Sequence, residues 1–230
     1  MAPNPKKTSK GKKSSRAKKK LWFSIISPKG FNAVSIGETS AFEASNLPGR
    51  AVKVNLMNLT NDPRGQHVNI TFKIDKIVGT TAETQVFKYE IIPAHFKRLV
   101  RRNRDRVDHS FLCRTNDGIT VRVKFILITR FKVNKSTQSA LRKSSTDLIS
   151  AIFSKLTLEN VFKDIIFNKV QKLLRGRMAK IAPLRNFEIK VINIDKNKRG
   201  VGLVTPSQEA LDSLEHKPAP PERDHKVEHS

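Results

Sequence analysis

The sequence predicts an α+β fold with a mostly antiparallel sheet. Apolar and polar residues alternate in several runs between residues 52 and 128, which is the period of half-buried strands. From Leu141 to Leu174 the apolar spacing becomes that of amphipathic helices. A last alternating run follows at residues 187–194. Strands that precede helices in this way are typical of α+β domains.

The strands come first along the chain, and one pair forms a clear hairpin. Asp117-Gly118 accommodates the positive φ that a tight hairpin turn needs, so the runs on either side of it should pair. In the second of these runs the alternation fails at Ile126 and Ile128, which predicts burial on both faces. The predicted strands are 52–56, 68–74, 86–90, 107–114, 119–131 and 187–194.

Three helices are predicted. Pro93 is suited to the first turn of a short basic helix. Two amphipathic helices then cover residues 141–156 and 158–174, with Thr157 as the N-cap between them and Gly176 as the stop. Each has one apolar stripe, so each should pack on the sheet.

The net charge of +25 is distributed unevenly over the 230 residues. Residues 1–20 contain nine Lys/Arg and no acid, and they predict a basic arm that is disordered alone and ordered by RNA. Residues 205–230 predict a flexible, acidic, proline-containing tail. The residues between the arm and the tail, 21–204, are predicted to form a single domain. Residues 21–200 contain 33 Lys/Arg and 14 Asp/Glu, so the folded part is strongly basic as well.

This composition excludes several classes of protein. A single cysteine cannot form an internal disulfide or a Cys-rich zinc module. No apolar run approaches the ~20 residues that a bilayer span needs, and no apolar segment follows the basic N-terminus as in a secretory signal. An excess of cations repels itself unless an anionic partner offsets it, which favours nucleic acid over a membrane surface. We expect a cytosolic or nuclear protein.

Residues that could support catalysis or metal binding do not cluster in the sequence. Cys113 lies among strand residues and is expected to be a small core hydrophobe. His225 and His229 have a ligand-like spacing, but they lie in the proline-containing tail. The aspartates are scattered among basic neighbours and suggest ion pairs. We therefore expect no enzyme activity, no cofactor and no metal.

Cations instead form clusters within the predicted domain. The densest has six Lys/Arg between residues 97 and 106; on a helix, 97, 101 and 104 would share one face and 98, 102 and 106 another. Arginine is suited to bidentate contacts with phosphate. Distributed clusters favour folded RNA, which is recognised by shape and phosphate, over a DNA major groove. Trp22-Phe23 is the only exposed-looking aromatic pair near a basic run, so stacking on single-stranded bases is not expected.

Several short motifs follow one another in a specific order over roughly residues 20–200. They are Trp22-Phe23, Pro28 and Phe31, Ile36-Gly37, Leu47-x-Gly49-Arg50, Thr115-x-Asp117-Gly118, Arg142-Lys143, Ile181-x-Pro183-Leu184, and Lys196, Lys198 and Arg199. Their order and spacing resemble the S-one-e, or S-three-a, family of small-subunit ribosomal proteins. Phe23 stands where the family has Tyr, and Gln138-Ser139 where it has Tyr-Ala.

The resemblance implies an α+β domain with a barrel-like sheet that binds rRNA on the subunit platform, near the mRNA exit, and contacts neighbouring ribosomal proteins. It implies roles in subunit assembly and translation, a cytoplasmic ribosomal location with passage through the nucleus or nucleolus, and no homo-oligomer. The arm would thread into rRNA and the stretch 97–106 would clamp phosphates. Trp22 and Phe31 would meet RNA or protein, or anchor the core. The rival interpretation is a nuclear RNA- or DNA-binding regulatory protein.

The clusters and the resemblance together give the candidate RNA-binding residues. They are Lys12, Lys13, Lys18, Lys19, Lys20, Trp22, Arg50, Lys97, Arg98, Arg101, Arg102, Arg104, Arg106, Arg130, Lys132, Lys135, Arg142, Lys143, Arg175, Arg177, Arg185, Lys196, Lys198 and Arg199.

Overall fold

The computed structural model describes residues 19–31, 33–195 and 204–207. Predictions for the other residues, which include most of the basic arm and of the acidic tail, lie outside this part. The described strands are β1 Leu21–Ile26, β2 Ser35–Ala41, β3 Ala51–Asn55, β4 Val68–Val78, β5 Thr81–Ile91, β6 Arg106–Arg114, β7 Thr120–Thr129 and β8 Leu184–Ile194. The described α-helices are α1 Leu56–Thr60, α2 Pro93–Leu99, α3 Lys135–Lys155, α4 Leu158–Ile166 and α5 Lys169–Met178.

All eight described strands belong to one sheet, and β5 is the strand at which it branches. One edge of β5 pairs with β4, which in turn pairs with β3. The other edge is shared, because Thr81–Glu83 pair with β1 in parallel and Lys88–Glu90 pair with β8 in antiparallel fashion. β2 continues from β1, while β7 and β6 continue from β8. The sheet is therefore mixed but mostly antiparallel.

The sheet remains open. Within the described residues no pairing joins the outer strands β2, β3 and β6, so the expectation of a barrel-like sheet is not confirmed. A short segment after β8 returns to the β6 edge, where the Val204 N–H donates a hydrogen bond to the Leu112 carbonyl at 2.9 Å. This contact partly covers an edge that would otherwise present unpaired backbone groups.

The predicted strands are present with shifted bounds, and two further strands were not predicted. The hairpin is confirmed, because Gly118 has φ 75° and β6 and β7 pair throughout. Ile126 and Ile128 are both buried, as the broken alternation predicted. β3 ends earlier than expected, because the Asn55 side chain accepts a hydrogen bond from Met57 N and caps α1. β1 and β2 have few inward apolar residues and too little alternation to be recognised.

The second amphipathic helix is two helices, which corrects the prediction of one helix over 158–174. Asn168 adopts a left-handed conformation with φ 57°, and this separates α4 from α5. Asn tolerates this conformation better than most residues, whereas the apolar spacing alone continues through it. Gly176 lies inside α5, so the predicted stop is wrong by three positions. Thr157 precedes α4, as predicted, without a side-chain capping bond.

The helices and the sheet enclose one large core and one small one. The large core contains buried residues of β4–β8 and of the helices, with Phe125 stacked on Phe187 at 5.7 Å between ring centroids. α3 packs against β6, α5 against β8, and α4 against α5. The small core lies under β1 and β2 and includes Phe23 and Ile25. No helix in the described ranges is both long and apolar enough to cross a membrane.

Candidate nucleic-acid interface

The arginine-rich stretch forms a loop rather than a continuous helix. α2 ends at Leu99, so Arg101, Arg102 and Arg104 follow it in irregular backbone, and the predicted helical faces do not form. Arg101 and Arg102 are exposed, whereas Arg104 is half-buried. Arg104 Nη1 is enclosed without a hydrogen-bond partner in the described part of the chain. We call residues 100–105 the arginine loop.

Asp105 anchors the end of the arginine loop to the exit of β7. Its backbone N–H donates to Thr129 Oγ1 at 3.1 Å, and its carbonyl accepts from Thr129 N at 3.1 Å. Its Oδ2 accepts from the Val133 N–H at 2.7 Å. Because Arg130 and Lys132 lie between Thr129 and Val133, the anchor holds the arginine loop beside these two cations.

The exit of β7 also lies next to cations of α5. Arg130 N donates to the Pro183 carbonyl at 2.9 Å, immediately before β8 begins. Arg130, Lys172 and Arg175 then line one groove of about 480 Å³. Gly176 faces the same groove, where an added Cβ would meet no atom within 4 Å. The other lining residues are Ala179, Pro183 and Leu184, and we call this feature the basic groove.

The cations of the basic groove are available for an external anion. Within the described residues, Arg130, Lys172 and Arg175 form no ion pair within 4.0 Å. One acid, Glu188 on β8, interacts electrostatically with Arg175; burial raises its pKa to about 7, against smaller opposing effects of an Asn186 hydrogen bond and the Arg175 charge. The groove therefore has an uncompensated positive charge.

A second basic surface lies where the arm enters the domain. Trp22 is 66% exposed on β1, which excludes the core-anchor interpretation for this residue. The Arg50 guanidinium donates to the Ser40 carbonyl at 3.2 Å, and Ser40 is the β2 partner of Trp22. The Lys20 ammonium lies 5.4 Å from the centre of the exposed Phe42 ring. Phe31, in contrast, packs edge-on against Phe72 and serves the core.

The remaining candidates are dispersed. Arg106 begins β6 and forms a salt bridge with Asp108, so its charge is compensated. Arg142 on α3 lowers the pKa of His109 on β6, in addition to the larger effect of burial. Arg177 and Arg185 are half-buried. Lys19, Lys97, Arg98, Lys132, Lys135 and Lys143 are exposed, whereas Lys12, Lys13, Lys18, Lys196, Lys198 and Arg199 lie outside the described residues.

The sequence analysis did not select several residues of this surface. Lys172 lies in the basic groove, but the sequence did not distinguish it from the nearby Lys169 and Lys180. Phe131 and Phe167 are 68% and 66% exposed, although the apolar spacing placed them within a strand and a helix. The expectation that exposed aromatic platforms are missing is therefore wrong. Both rings lie where a strand or helix ends and basic residues are close in the sequence, and this position was the signal that could have identified them.

Cys113 has the structural role that was expected. It is fully buried, and burial raises the pKa of its thiol to about 12, so it is a thiol and not a thiolate at neutral pH. Its Sγ lies 3.7 Å from the Val121 carbonyl on the paired strand. These observations confirm Cys113 as a core residue of the hairpin.

Comparison with known proteins identifies the family. Residues 8–197 match the Ribosomal S3Ae family. The chain is 34% identical over 183 residues to the small ribosomal subunit protein eS1 of Saccharolobus islandicus, which covers 78% of this chain and 88% of that protein. It is 30% identical over 187 residues to the eS1 protein of Nanoarchaeum equitans, covering 81% and 94%. The chain belongs to the Ribosomal S3Ae family, whose members are structural proteins of the ribosome and not enzymes.

Proposed function

We propose that this chain is an rRNA-binding constituent of the small ribosomal subunit, located on the platform near the mRNA exit. There it supports subunit assembly and translation as a single copy beside neighbouring ribosomal proteins. Its passage through the nucleus or nucleolus during assembly belongs to the same proposal. Similarity to proteins named as small-subunit constituents supports the subunit, and the basic surface supports the rRNA.

The observation that carries the rRNA proposal is the convergence of three groups of cations: the arginine loop, the exit of β7 and α5. These groups are far apart in the sequence, but hydrogen bonds of Asp105 and Arg130 join them. A surface built in this way presents cations from a loop, a strand end and a helix on a rigid frame. Folded RNA is recognised largely through its backbone shape, which suits such a surface.

The basic arm extends the same proposal to the other end of the sheet. Residues 1–20 would order against rRNA and lead to the surface around Lys20, Trp22 and Arg50. The domain 21–204 would then be held between two RNA contacts, with the acidic tail 205–230 outside them. Each neutralised phosphate releases counterions, so affinity should fall steeply with salt.

Sedimentation of a cell lysate through a sucrose gradient, probed for this chain, tests the proposed function. We expect co-migration with small subunits and whole ribosomes that survives high salt, as an integral constituent requires. Migration at the top of the gradient would reject the ribosomal proposal in favour of a nuclear regulatory protein. Release at high salt would show a loosely associated, charge-driven factor instead of a constituent.

The arginine loop provides a more specific test. Arg101→Glu with Arg102→Glu reverses two exposed cations and should strongly reduce incorporation into small subunits, since two phosphate contacts become repulsive. Lys76→Glu with Lys124→Glu is the matched control, because it changes the charge equally at exposed strand positions. Melting temperatures should be similar for both variants. Normal incorporation of the arginine-loop variant would contradict a phosphate clamp at this loop.

A further inference from the structure

We propose that Phe167 stacks on an unpaired base of RNA in a pocket that adjoins the basic groove. This inference rests on the proposed rRNA-binding function and adds to it a base-binding position. It concerns a side chain at the junction of α4 and α5, a region predicted from the sequence to be uninterrupted helix.

Phe167 is presented outward by a rigid junction. Its N–H donates to the Lys163 carbonyl at 3.0 Å, and the following Asn168 N–H donates to the Ile165 carbonyl at 3.0 Å. With Asn168 in the left-handed conformation, α5 starts in a new direction and the Phe167 ring remains 66% exposed. A large aromatic ring held in water by a fixed backbone is a preformed stacking surface.

The ring borders a pocket of suitable size and composition. The pocket has a volume of about 390 Å³, which falls in the range of ligand sites. Leu56 and Val68 contribute apolar surface to it, and Asn168 and Thr60 contribute polar groups. We call it the Phe167 pocket.

The charges around the Phe167 pocket favour a nucleic acid. Arg64 and Lys172 line it, and neither has an ion-pair partner within 4.0 Å in the described chain. Asp62 is the acid of the lining; its Oδ1 accepts the Arg64 N–H at 3.0 Å. A carboxylate beside an aromatic ring and two cations can accept a hydrogen bond from a base amino group or a ribose hydroxyl.

His67 completes the lining and is held in place by its neighbours. Its ring stacks on His95 with 4.2 Å between centroids. Burial lowers the pKa of His67, the nearby Arg98 charge lowers it further, and a hydrogen bond to the Arg64 backbone opposes them. The ring is therefore neutral at pH 7, and it offers a flat surface without adding charge.

Lys172 connects the pocket with the basic groove, because it lines both. A strand of RNA whose phosphates follow Arg130, Arg175 and Lys172 would pass from the basic groove into the Phe167 pocket at Lys172. Unpaired bases stack on aromatic side chains of RNA-binding proteins in this manner. The two cations of the lining, Arg64 and Lys172, outnumber its single acid, Asp62, which favours an anionic partner such as RNA over a neutral protein surface.

A tryptophan reporter tests the proposal in the full-length chain. The sequence contains one tryptophan, so Trp22→Phe with Phe167→Trp places a single fluorophore in the pocket. The matched control is Trp22→Phe with Val78→Trp, because Val78 is 63% exposed at a hairpin tip. Both proteins are titrated with a single-stranded oligoribonucleotide and with inorganic polyphosphate, which has the charge but no bases.

We expect the oligoribonucleotide to quench the reporter at position 167 but not the one at 78, and polyphosphate to quench neither. If the RNA binds by anisotropy while the emission at 167 does not change, base stacking is excluded and the proposed function stands. Equal quenching by polyphosphate would also exclude stacking. Absence of any RNA binding by the unmodified chain would overturn both proposals.

Affinity measurements distinguish an aromatic contact from an apolar one. In the pocket, Phe167→Leu should weaken binding of the oligoribonucleotide about tenfold, because stacking needs a ring. Phe167→Tyr should bind as the unmodified chain does. Since the side chain is exposed, neither change should alter the melting temperature. Equal affinity of the leucine and tyrosine variants would overturn the proposal.

Discussion

Two cationic regions of this protein differ in whether acidic residues of the same chain compensate their charge. On β3 and β5, Lys53 and Lys88 lie 3.7 and 2.8 Å from the same carboxylate of Glu90. Around the exit of β7, the basic groove has three cations without such partners in the described residues. Both regions look alike in the sequence as Lys/Arg among apolar residues.

The difference shows that the number of cations does not locate an interface, whereas their pairing does. An intramolecular ion pair at the surface contributes little to stability, but it removes a charge from the field that an external anion senses. The pKa of Glu90 is lowered chiefly by its hydrogen bond with Lys88, which agrees with a formed pair. The uncompensated region is the better candidate for RNA.

The strongest test neutralises the three cations of the basic groove. Arg130→Gln, Lys172→Gln and Arg175→Gln should weaken binding to an rRNA fragment by about 100-fold at low salt and reduce the salt slope by about 3, since three phosphate contacts are lost. Filter binding at several salt concentrations measures both quantities.

The matched control removes the same charge from paired positions. Lys53→Gln, Lys88→Gln and Arg122→Gln each break a salt bridge with Glu90 or Asp195. We expect its salt slope to change by less than about 1. Equal losses in the two variants would mean that only net charge matters, and the comparison of the two regions would fail.

The second test concerns Glu188, a half-buried acid of β8 that interacts electrostatically with Arg175 of the groove. Its raised pKa means that the folded state binds the proton more tightly than the unfolded state does, so its contribution to stability is present at low pH and lost as pH rises from about 4.5 to about 7. In Glu188→Gln the side chain cannot ionise, so this loss of stability with rising pH does not occur. The advantage of the variant in unfolding free energy should grow by about 2 kcal/mol between pH 5 and pH 8.

Urea unfolding of both proteins at the two pH values measures this difference. The lowered pKa values of His67, His95 and His109 affect both proteins equally and cancel in the comparison. A constant difference between the variants would show that Glu188 is solvated and titrates normally. The groove would then have a charged acid beside Arg175 at neutral pH.

The large core was largely predictable because its strands and helices repeat apolar residues at their own periods. The hairpin of β6 and β7 was predicted from Asp117-Gly118 and from alternation on both sides of it. β1 and β2 were missed because only a few residues, such as Phe23 and Ile25, face inward and the paired strand is polar. β1 also pairs in parallel with β5, a partner that is distant in the sequence and that local patterns do not contain.

The sequence predicted the cations of the candidate interface, but it did not predict how they are arranged in space. Composition indicated Arg101, Arg130 and Arg175, yet their proximity depends on Asp105 and on the backbone bond of Arg130 to Pro183. The break at Asn168 exposed Phe167, although apolar spacing predicted a continuous helix. Single-residue backbone conformations and long-range hydrogen bonds therefore limited the prediction.

The smallest expected effect comes from removing the acid that compensates the lysines of the β3–β5 surface. Glu90→Gln releases Lys53 and Lys88 from their shared carboxylate. Two unpaired lysines should then raise the affinity for RNA about threefold at low salt and steepen the salt dependence. The loss in stability should be below about 1 kcal/mol, because the pairs are near the surface.

Glu83→Gln is the control that separates local pairing from net charge. Glu83 is an exposed acid on β5 that has no ion-pair partner within 4.0 Å in the described part of the chain. Both substitutions raise the net charge by one, but only Glu90→Gln frees two paired lysines. If filter binding shows the same gain for both, paired and unpaired cations are equivalent to RNA. A larger gain for Glu90→Gln would show that intramolecular pairing limits RNA binding by the β3–β5 surface.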